Sequence, residues 1–237
     1  MRIGIIGAGN VGHALAVRFA AAGHQVMLSN SRGPHTLTAA VTSIEGDVRA
    51  GTVAEAAGFG EVVAVAIPLR AIGDLPPKPF AGKLVIDANN YWPQRDGHIP
   101  ELDADQTTSS ELLASVLPAA TVVKAFNTIH FRRLLNDSHP ELPAADRLAI
   151  PVAGDDANAK RTVIDLIDQL GFTGVDAGTG EGRGRSCDQN DLPVGHAADD
   201  HGVDHDRSGV ASAAWFRRRQ SGESARPRTR RRSLRGS

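Results

Sequence analysis

The feature that most constrains this chain lies close to its first residue. Arg2–Ile6 (RIGII) is a short, almost wholly apolar run, of the kind required of a strand buried on both faces. It leads directly into Gly7-Ala8-Gly9-Asn10-Val11-Gly12, and Asn10–Ala22 continues with the Ala and Leu content of a helix until Gly23. A G-x-G-x-x-G string alone is weak in a chain with 25 glycines. The strand before it and the helix after it give it meaning. A strand buried on both faces and followed by its own helix needs further units of the same kind to cover it.

The following residues supply those units. Gln25–Leu28 reads as a second strand, and Pro34, tolerated in a first helical turn, opens a helix to about Ile44. Val48–Thr52 is a short strand, and Val62–Ile67 (VVAVAI), ended by Pro68, is the clearest buried one. Leu84–Asp87 and Thr121–Phe126 read as two more parallel strands, with a helix Ser110–Leu117 between them. After Arg147–Ala153, Asp155 or Asp156 caps a helix with Val163, Ile164, Ile167 and Leu170 at helical spacing, and Gly171 ends it. The pattern predicts an α/β fold, a Rossmann-type doubly wound and mostly parallel sheet without internal repeats.

Charge divides the chain. Residues 1–176 hold 14 basic and 19 acidic residues, a net of −5, and residues 177–206 hold 2 and 7, again −5. Residues 207–237 hold 10 Arg, no Lys and 1 acid, a net of +9. Large apolar residues beyond Ala177 are confined to Leu192, Val194, Val203, Val210, Trp215, Phe216 and Leu234. Such a stretch buries too little apolar area to offset its ordering entropy. The expectation is therefore a folded domain over 1–176 and a disordered, Arg-rich tail over 177–237.

Several function classes drop out. The single Cys187 excludes a disulfide framework and a multi-cysteine zinc site, and suits a reducing cytosol, so a cytoplasmic protein is expected. No apolar run approaches the ~20 residues of a membrane span. The apolar stretch Ile3–Ala22 is interrupted by glycines and lacks a basic region ahead of it, and so reads as mature structure.

In the glycine loop, Gly7 allows the tight turn, Gly9 lets a pyrophosphate approach the backbone, and Gly12 lets helix pack close to strand. Asn10 and Val11 open a helix whose free N–H groups and positive dipole end face the phosphates. An NAD site places an acid about 20 residues beyond the loop, on the ribose hydroxyls. This chain has no acid before Glu45 and offers Ser29-Asn30-Ser31-Arg32 instead. Hydroxyl donors and a guanidinium suit an anionic 2′-phosphate, which a carboxylate would repel. NADP(H) is therefore the expected cofactor, against the plainer reading of Arg32 as a solvated loop residue.

The segments GIIGAGNVG, SNSRGP, AIPLRAI, VIDANNYWP and VVKAFNTIHF together resemble the NADP oxidoreductase, coenzyme F420-dependent family. This family lies in the superfamily of pyrroline-carboxylate reductases and 6-phosphogluconate dehydrogenases. The resemblance covers about residues 1–176. It implies hydride transfer between NADP(H) and a deazaflavin, coenzyme F420, as co-substrate. It further implies that Ser31 and Arg32, beside Asn30, hold the 2′-phosphate, and that Ile67 and Pro68 line the dinucleotide cleft. Asn89 would lie near the nicotinamide, and Lys124–Asn127 beside the second substrate.

Hydride transfer between stacked rings needs proximity and orientation more than a titrating side chain, so no catalytic base is required. The candidates at the end of the sixth strand are Lys124, Asn127 and His130. Lys124 could attract an acidic substrate or pair with an Asp on the surface, and His130 could donate a proton or be a plain surface histidine. Asn89-Asn90-Tyr91-Trp92 offers amide and aromatic groups to a planar ring, or is an ordinary packed loop. Two other readings stay open: an NADPH-dependent reductase of a small imine or carbonyl, and a dinucleotide sensor without turnover. Partners are then small molecules, with no membrane, and a homodimer is an open option.

In the tail, His196, His201 and His205 stand among Asp199, Asp200, Asp204 and Asp206, but Gly202 and the acid run make a helix poor, and no metal site is expected. Arg217–Arg219 and Arg230–Arg232 are the places where nucleic acid or anionic lipid could bind, with too few aromatics for base stacking. Arg outnumbers Lys 22 to 4 across the chain, and the resemblance stops abruptly near Gly178. Relatives would continue into an ordered Gly-Thr-Pro segment. Gly195-His196-Ala197, in GC-rich codons read one base later, can become Gly-Thr-Pro. A shifted reading frame beyond about Gly178 and a genuine basic tail are both open.

Overall fold

The computed structural model describes residues 1–179. The chain runs β1 (Arg2–Ile6), α1 (Asn10–Ala21), β2 (Gln25–Ser29), α2 (Thr38–Thr42), β3 (Val48–Gly51), α3 (Val53–Phe59), β4 (Val62–Val65) and β5 (Leu84–Asp87). Two single turns, α4 (Pro93–Asp96) and α5 (Pro100–Asp103), precede α6 (Ser109–Val116), β6 (Thr121–Lys124), α7 (Phe131–Asn136), β7 (Ala149–Ala153), α8 (Ala157–Gln169) and β8 (Thr173–Gly178). Among the described residues the strands form one eight-stranded sheet in the order β3-β2-β1-β4-β5-β6-β7-β8. All its pairings are parallel except β6 with β7, which touch antiparallel through Lys124 and Ala153. This is the expected Rossmann-type, doubly wound α/β fold.

Alternation along the central strands sends side chains into two layers. Ile3, Ile5, Val62, Ala64 and Ile86 meet Leu15 and Phe19 of α1, while Val123 and Ile150 join the same layer with Leu134 of α7 and Val163 and Ile167 of α8. Ile6, Val63, Val65 and Val85 face Ala56 and Ala57 of α3, Leu113 of α6 and Phe80. On that side α3 lies so close that a side chain at Gly4 would overlap the Ala56 carbonyl. No helix among the described residues is long and apolar enough to cross a membrane.

Several boundaries differ from the pattern-based ones. The helix expected from Pro34 to Ile44 is a 3-10 turn, Pro34–Leu37, followed by the short α2. Thr38, Thr42 and Ser43 turn their hydroxyls back onto backbone carbonyls, and only Leu37 and Ile44 are buried to hold a longer helix. β4 stops at Val65 because the Ile67 N–H goes to the Asn89 side chain instead of to a neighbouring strand. β6 stops at Lys124, and two residues later Phe126 takes a left-handed backbone at φ +65°. Helices α3 and α7 and strand β8 were not anticipated. The tail reading, with its disorder, histidine–aspartate group, arginine clusters and shifted frame, lies outside the described residues.

Candidate functional site

From β1 the chain moves outward through β2 and β3, then returns to β4 on the other side of β1. Strand order therefore reverses between β1 and β4, and the carboxyl ends of strands at such a point open a crevice for ligands. The segments after β1, β2, β4, β5 and β6 carry the residues singled out above.

The three loop glycines are glycine for different reasons. Gly7 has φ +107°, gives its N–H to the Ser29 carbonyl at 3.0 Å, and a side chain on it would overlap the Ala66 carbonyl. A side chain on Gly12 would overlap the Gly7 carbonyl. Gly9 is ordinary in backbone (φ −76°), and a Cβ there would meet nothing within 4 Å. The fold demands glycine at 7 and 12; at 9 it leaves open space over the start of α1. Helices α3, α6, α7 and α8 each begin with a side-chain acceptor, from Thr52, Thr108, His130 and Asp156, whereas α1 begins at Gly9 without one. The N–H groups of Asn10, Val11 and Gly12 have no partner inside the helix, and its first turn holds no acid. This end of α1 can accept an anion.

After β2, Ser29 is buried and donates to the Ile5 carbonyl, which removes it from the set of free hydroxyls. Asn30 accepts from the Arg32 N–H at 3.0 Å and donates to Thr36 Oγ1 at 2.9 Å, so its side chain braces the turn. Ser31 and Arg32 are exposed, and the Arg32 guanidinium forms no ion pair or hydrogen bond among the described residues.

Beside the glycine loop, Ile67 and Pro68 are half-buried at the end of β4. Asn89, only 2% exposed, accepts the Ile67 N–H on Oδ1 at 2.8 Å, and this bond fixes its amide so that the buried Nδ2 is left without a partner. Asn90 donates to the Asn127 carbonyl at 2.8 Å and so joins the segments after β5 and β6.

Lys124 is buried, and the Asp it pairs with is in the interior, not on the surface. Its Nζ donates to Asp87 Oδ2 (3.1 Å), Ser109 Oγ (2.7 Å) and the Asn89 carbonyl (2.8 Å). Asp87, fully buried, also accepts from Ser110 Oγ at 2.6 Å and from the Asn89 N–H at 2.9 Å. All three ammonium donors are used within the protein, so Lys124 is not presented to a substrate as a free cation. Asp87 and Ser109–Ser110 were missed by sequence reasoning. Their only mark in the sequence is an acid closing one apolar strand and a lysine closing another; the register that pairs them is set by the sheet.

His130 is exposed, caps α7 by accepting the Arg132 N–H, and has its pKa lowered by desolvation and by the Arg132 charge. Tyr91 donates to Asp103 at 2.7 Å and accepts the Ile99 N–H. Burial, and then Asp103, raise its pKa, and the hydroxyl is engaged in holding the loop over α4 and α5. Among the described residues there is no cluster of His, Cys, Asp and Glu able to hold a metal.

Residues 2–91 match the family described as NADP oxidoreductase, coenzyme F420-dependent. The chain is similar to the hypothetical protein SMa0349 of Sinorhizobium meliloti, with 34% identity, a TM-score of 0.64, and coverage of 76% of this chain and 85% of that one. It is also similar to a candidate F420-dependent NADP reductase from Arthrobacter sp. FB24, with 26% identity, a TM-score of 0.65, and 79% and 89% coverage. The metalloreductase STEAP3 of Rattus norvegicus is 29% identical over 184 residues, 75% of this chain, which spans about a third (34%) of that protein. An imine reductase from Pseudomonas sp., at 17% identity and a TM-score of 0.54, shares the fold; 75% of this chain and 55% of that one are covered. With its glycine loop opening α1 and Ser31-Arg32 after β2, the chain belongs to the NADP oxidoreductase, coenzyme F420-dependent family.

Proposed function

We propose that this protein is an NADP(H)-dependent oxidoreductase whose second substrate is a deazaflavin of the coenzyme F420 type. The observation that carries it is Gly9. Neither its backbone nor its packing requires glycine, and the space kept clear there adjoins the uncapped start of α1. A pyrophosphate fits that cradle. Arg32, exposed three residues after β2 and without an ion pair or side-chain hydrogen bond among the described residues, then lies on the adenosine side, where a guanidinium favours a 2′-phosphate. On the other side of the crevice, Ile67, Pro68 and Asn89 face the nicotinamide half.

Bound NADPH supplies the hydride. The protein's own part is to hold and orient the rings and to exclude water, and no side chain of the site needs to change protonation for that. His130 serves as a helix cap and Lys124 as an interior brace in this reading.

The test is to mix the protein with NADPH and an oxidised deazaflavin and follow nicotinamide absorbance. Turnover is expected. Arg32→Ala is expected to remove about 1.5–3 kcal/mol of charge-assisted binding, roughly ten- to hundredfold in NADPH affinity, with NADH hardly changed. A wild-type preference for NADH would overturn the cofactor assignment. Oxidation of NADPH by a small cyclic imine but not by the deazaflavin would support the imine or carbonyl reductase instead. Tight NADPH binding with no acceptor turned over would support a sensor.

A further inference from the structure

The interior ion pair between Asp87 and Lys124 is placed where its orientation reaches the crevice. The two residues are direct partners in the β5–β6 register, at the carboxyl end of each strand. Asp87 Oδ1 accepts the backbone N–H of Asn89, and Lys124 Nζ donates to the backbone carbonyl of the same residue. The pair thus grips both sides of Asn89's main chain. Ser109 and Ser110, at the start of α6, complete the grip from the other layer. The Asn89 side chain in turn holds Ile67, which adjoins Ala66, the residue that Gly7 packs against. A continuous set of contacts runs from the ion pair to the glycine loop, over two strand spacings or about 10 Å. It leaves one group unanswered, the buried Asn89 Nδ2. A buried amide donor without an acceptor is costly, and a site that needs it for a ligand explains its persistence.

We propose that Asp87 and Lys124 are positioning residues that hold Asn89 so that its Nδ2 donates to an oxygen of the nicotinamide nucleoside half of the bound dinucleotide. The proposal rests on the NADP(H) reading above. It assigns Asn89 to the nicotinamide nucleoside alone, because β2 and Arg32 lie on the opposite side of β1 from β5.

Two ligands separate the two halves of the site: NADPH, and 2′,5′-ADP, which carries only the adenosine half with its phosphates. Asn89→Ala is expected to weaken NADPH about tenfold, the value of one hydrogen bond to a buried donor, and to leave 2′,5′-ADP within about twofold. Lys124→Met leaves the Asp87 charge buried and unpaired, so the double variant Asp87→Asn/Lys124→Met, which removes both charges, is measured beside it, with thermal melts to verify folding. The double variant is expected to show the same selective loss. Adding Asn89→Ala to it is expected to weaken NADPH little further, since both act through one contact. Equal loss of NADPH and 2′,5′-ADP in the folded variants, or no loss of either, overturns the positioning role. If wild type binds neither ligand, the NADP(H) reading itself fails, a result distinct from both.

Discussion

Gly9 and Gly12 stand three residues apart and respond to substitution in opposite ways. A methyl on Gly12 would overlap the Gly7 carbonyl, so Gly12→Ala is expected to lower the melting temperature, with the cost of overpacking at about 1–3 kcal/mol. Gly9→Val is expected to melt like wild type, because its side chain would enter open space, and to lose NADPH binding in a calorimetric titration if the proposed pyrophosphate site lies there. Unchanged NADPH affinity in Gly9→Val would remove the phosphate loop from the mechanism. At the opposite end of the sheet, His24 is buried against the edge of Phe19, and its Nδ1 lies 3.3 Å from the N-terminal ammonium. Desolvation, and then that ammonium, hold its pKa below 6.5. The unfolded chain therefore binds a proton that the folded one resists, so the stability His24 leaves intact at neutral pH is lost as pH falls below about 6.5. Melting temperatures taken from pH 7.5 to 5 are expected to fall less steeply for His24→Leu than for wild type. The glycine loop was legible from residues alone because its spacing, between an apolar run and a helical stretch, is a local pattern. The bonds that hold Asn89 in place were not, since its partners, Ile67, Asp87 and Lys124, are gathered from three strand ends.

Among the elements, α6 ties helix capping most directly to the crevice. Thr108 accepts from the Glu111 N–H while Glu111 returns a bond to the Thr108 N–H, and the next two residues, Ser109 and Ser110, bind Lys124 and Asp87. Thr108→Ala is expected to cost about 1 kcal/mol, and so about 2–4 °C in Tm by calorimetry. The same T-x-x-E signature, at Thr52 and Glu55, marks the start of α3, and is the local signal that could have announced that unanticipated helix. Strand ends were harder to read. The apolar run VVKAF suggested a strand through Phe126, yet Ala125 and Phe126 are buried as a turn, the Phe126 ring meeting Phe19 edge-on at 6.4 Å. Hydropathy reports that a residue is buried and is silent on whether its backbone is extended, so a left-handed Phe at a strand end leaves no trace in the pattern.

At the scale of the whole molecule, the reading frame of the last residues is open to a direct test. If residues beyond about Gly178 come from a shifted frame, translating the resequenced gene past codon 178 is expected to yield an uninterrupted alternative with strand-like apolar spacing. Stop codons in both other frames would reject the shift and leave a genuine basic tail. For the described residues, the division between sequence and structure is physical. The alternation of buried strands and helices, the glycine turn and the lack of an acid before Glu45 are short-range properties, so the sequence by itself determined the α/β class, the Rossmann-type winding and the place of the glycine turn between β1 and α1. Tertiary structure decided what depends on which strand ends lie side by side. It turned β7 against β6, set Lys124 inside against Asp87, engaged Ser29 and Asn30 in bracing, left Arg32 exposed, and left the Asn89 Nδ2 unanswered. Those outcomes follow from burial and hydrogen bonding between residues as many as 37 positions apart, which no local pattern encodes.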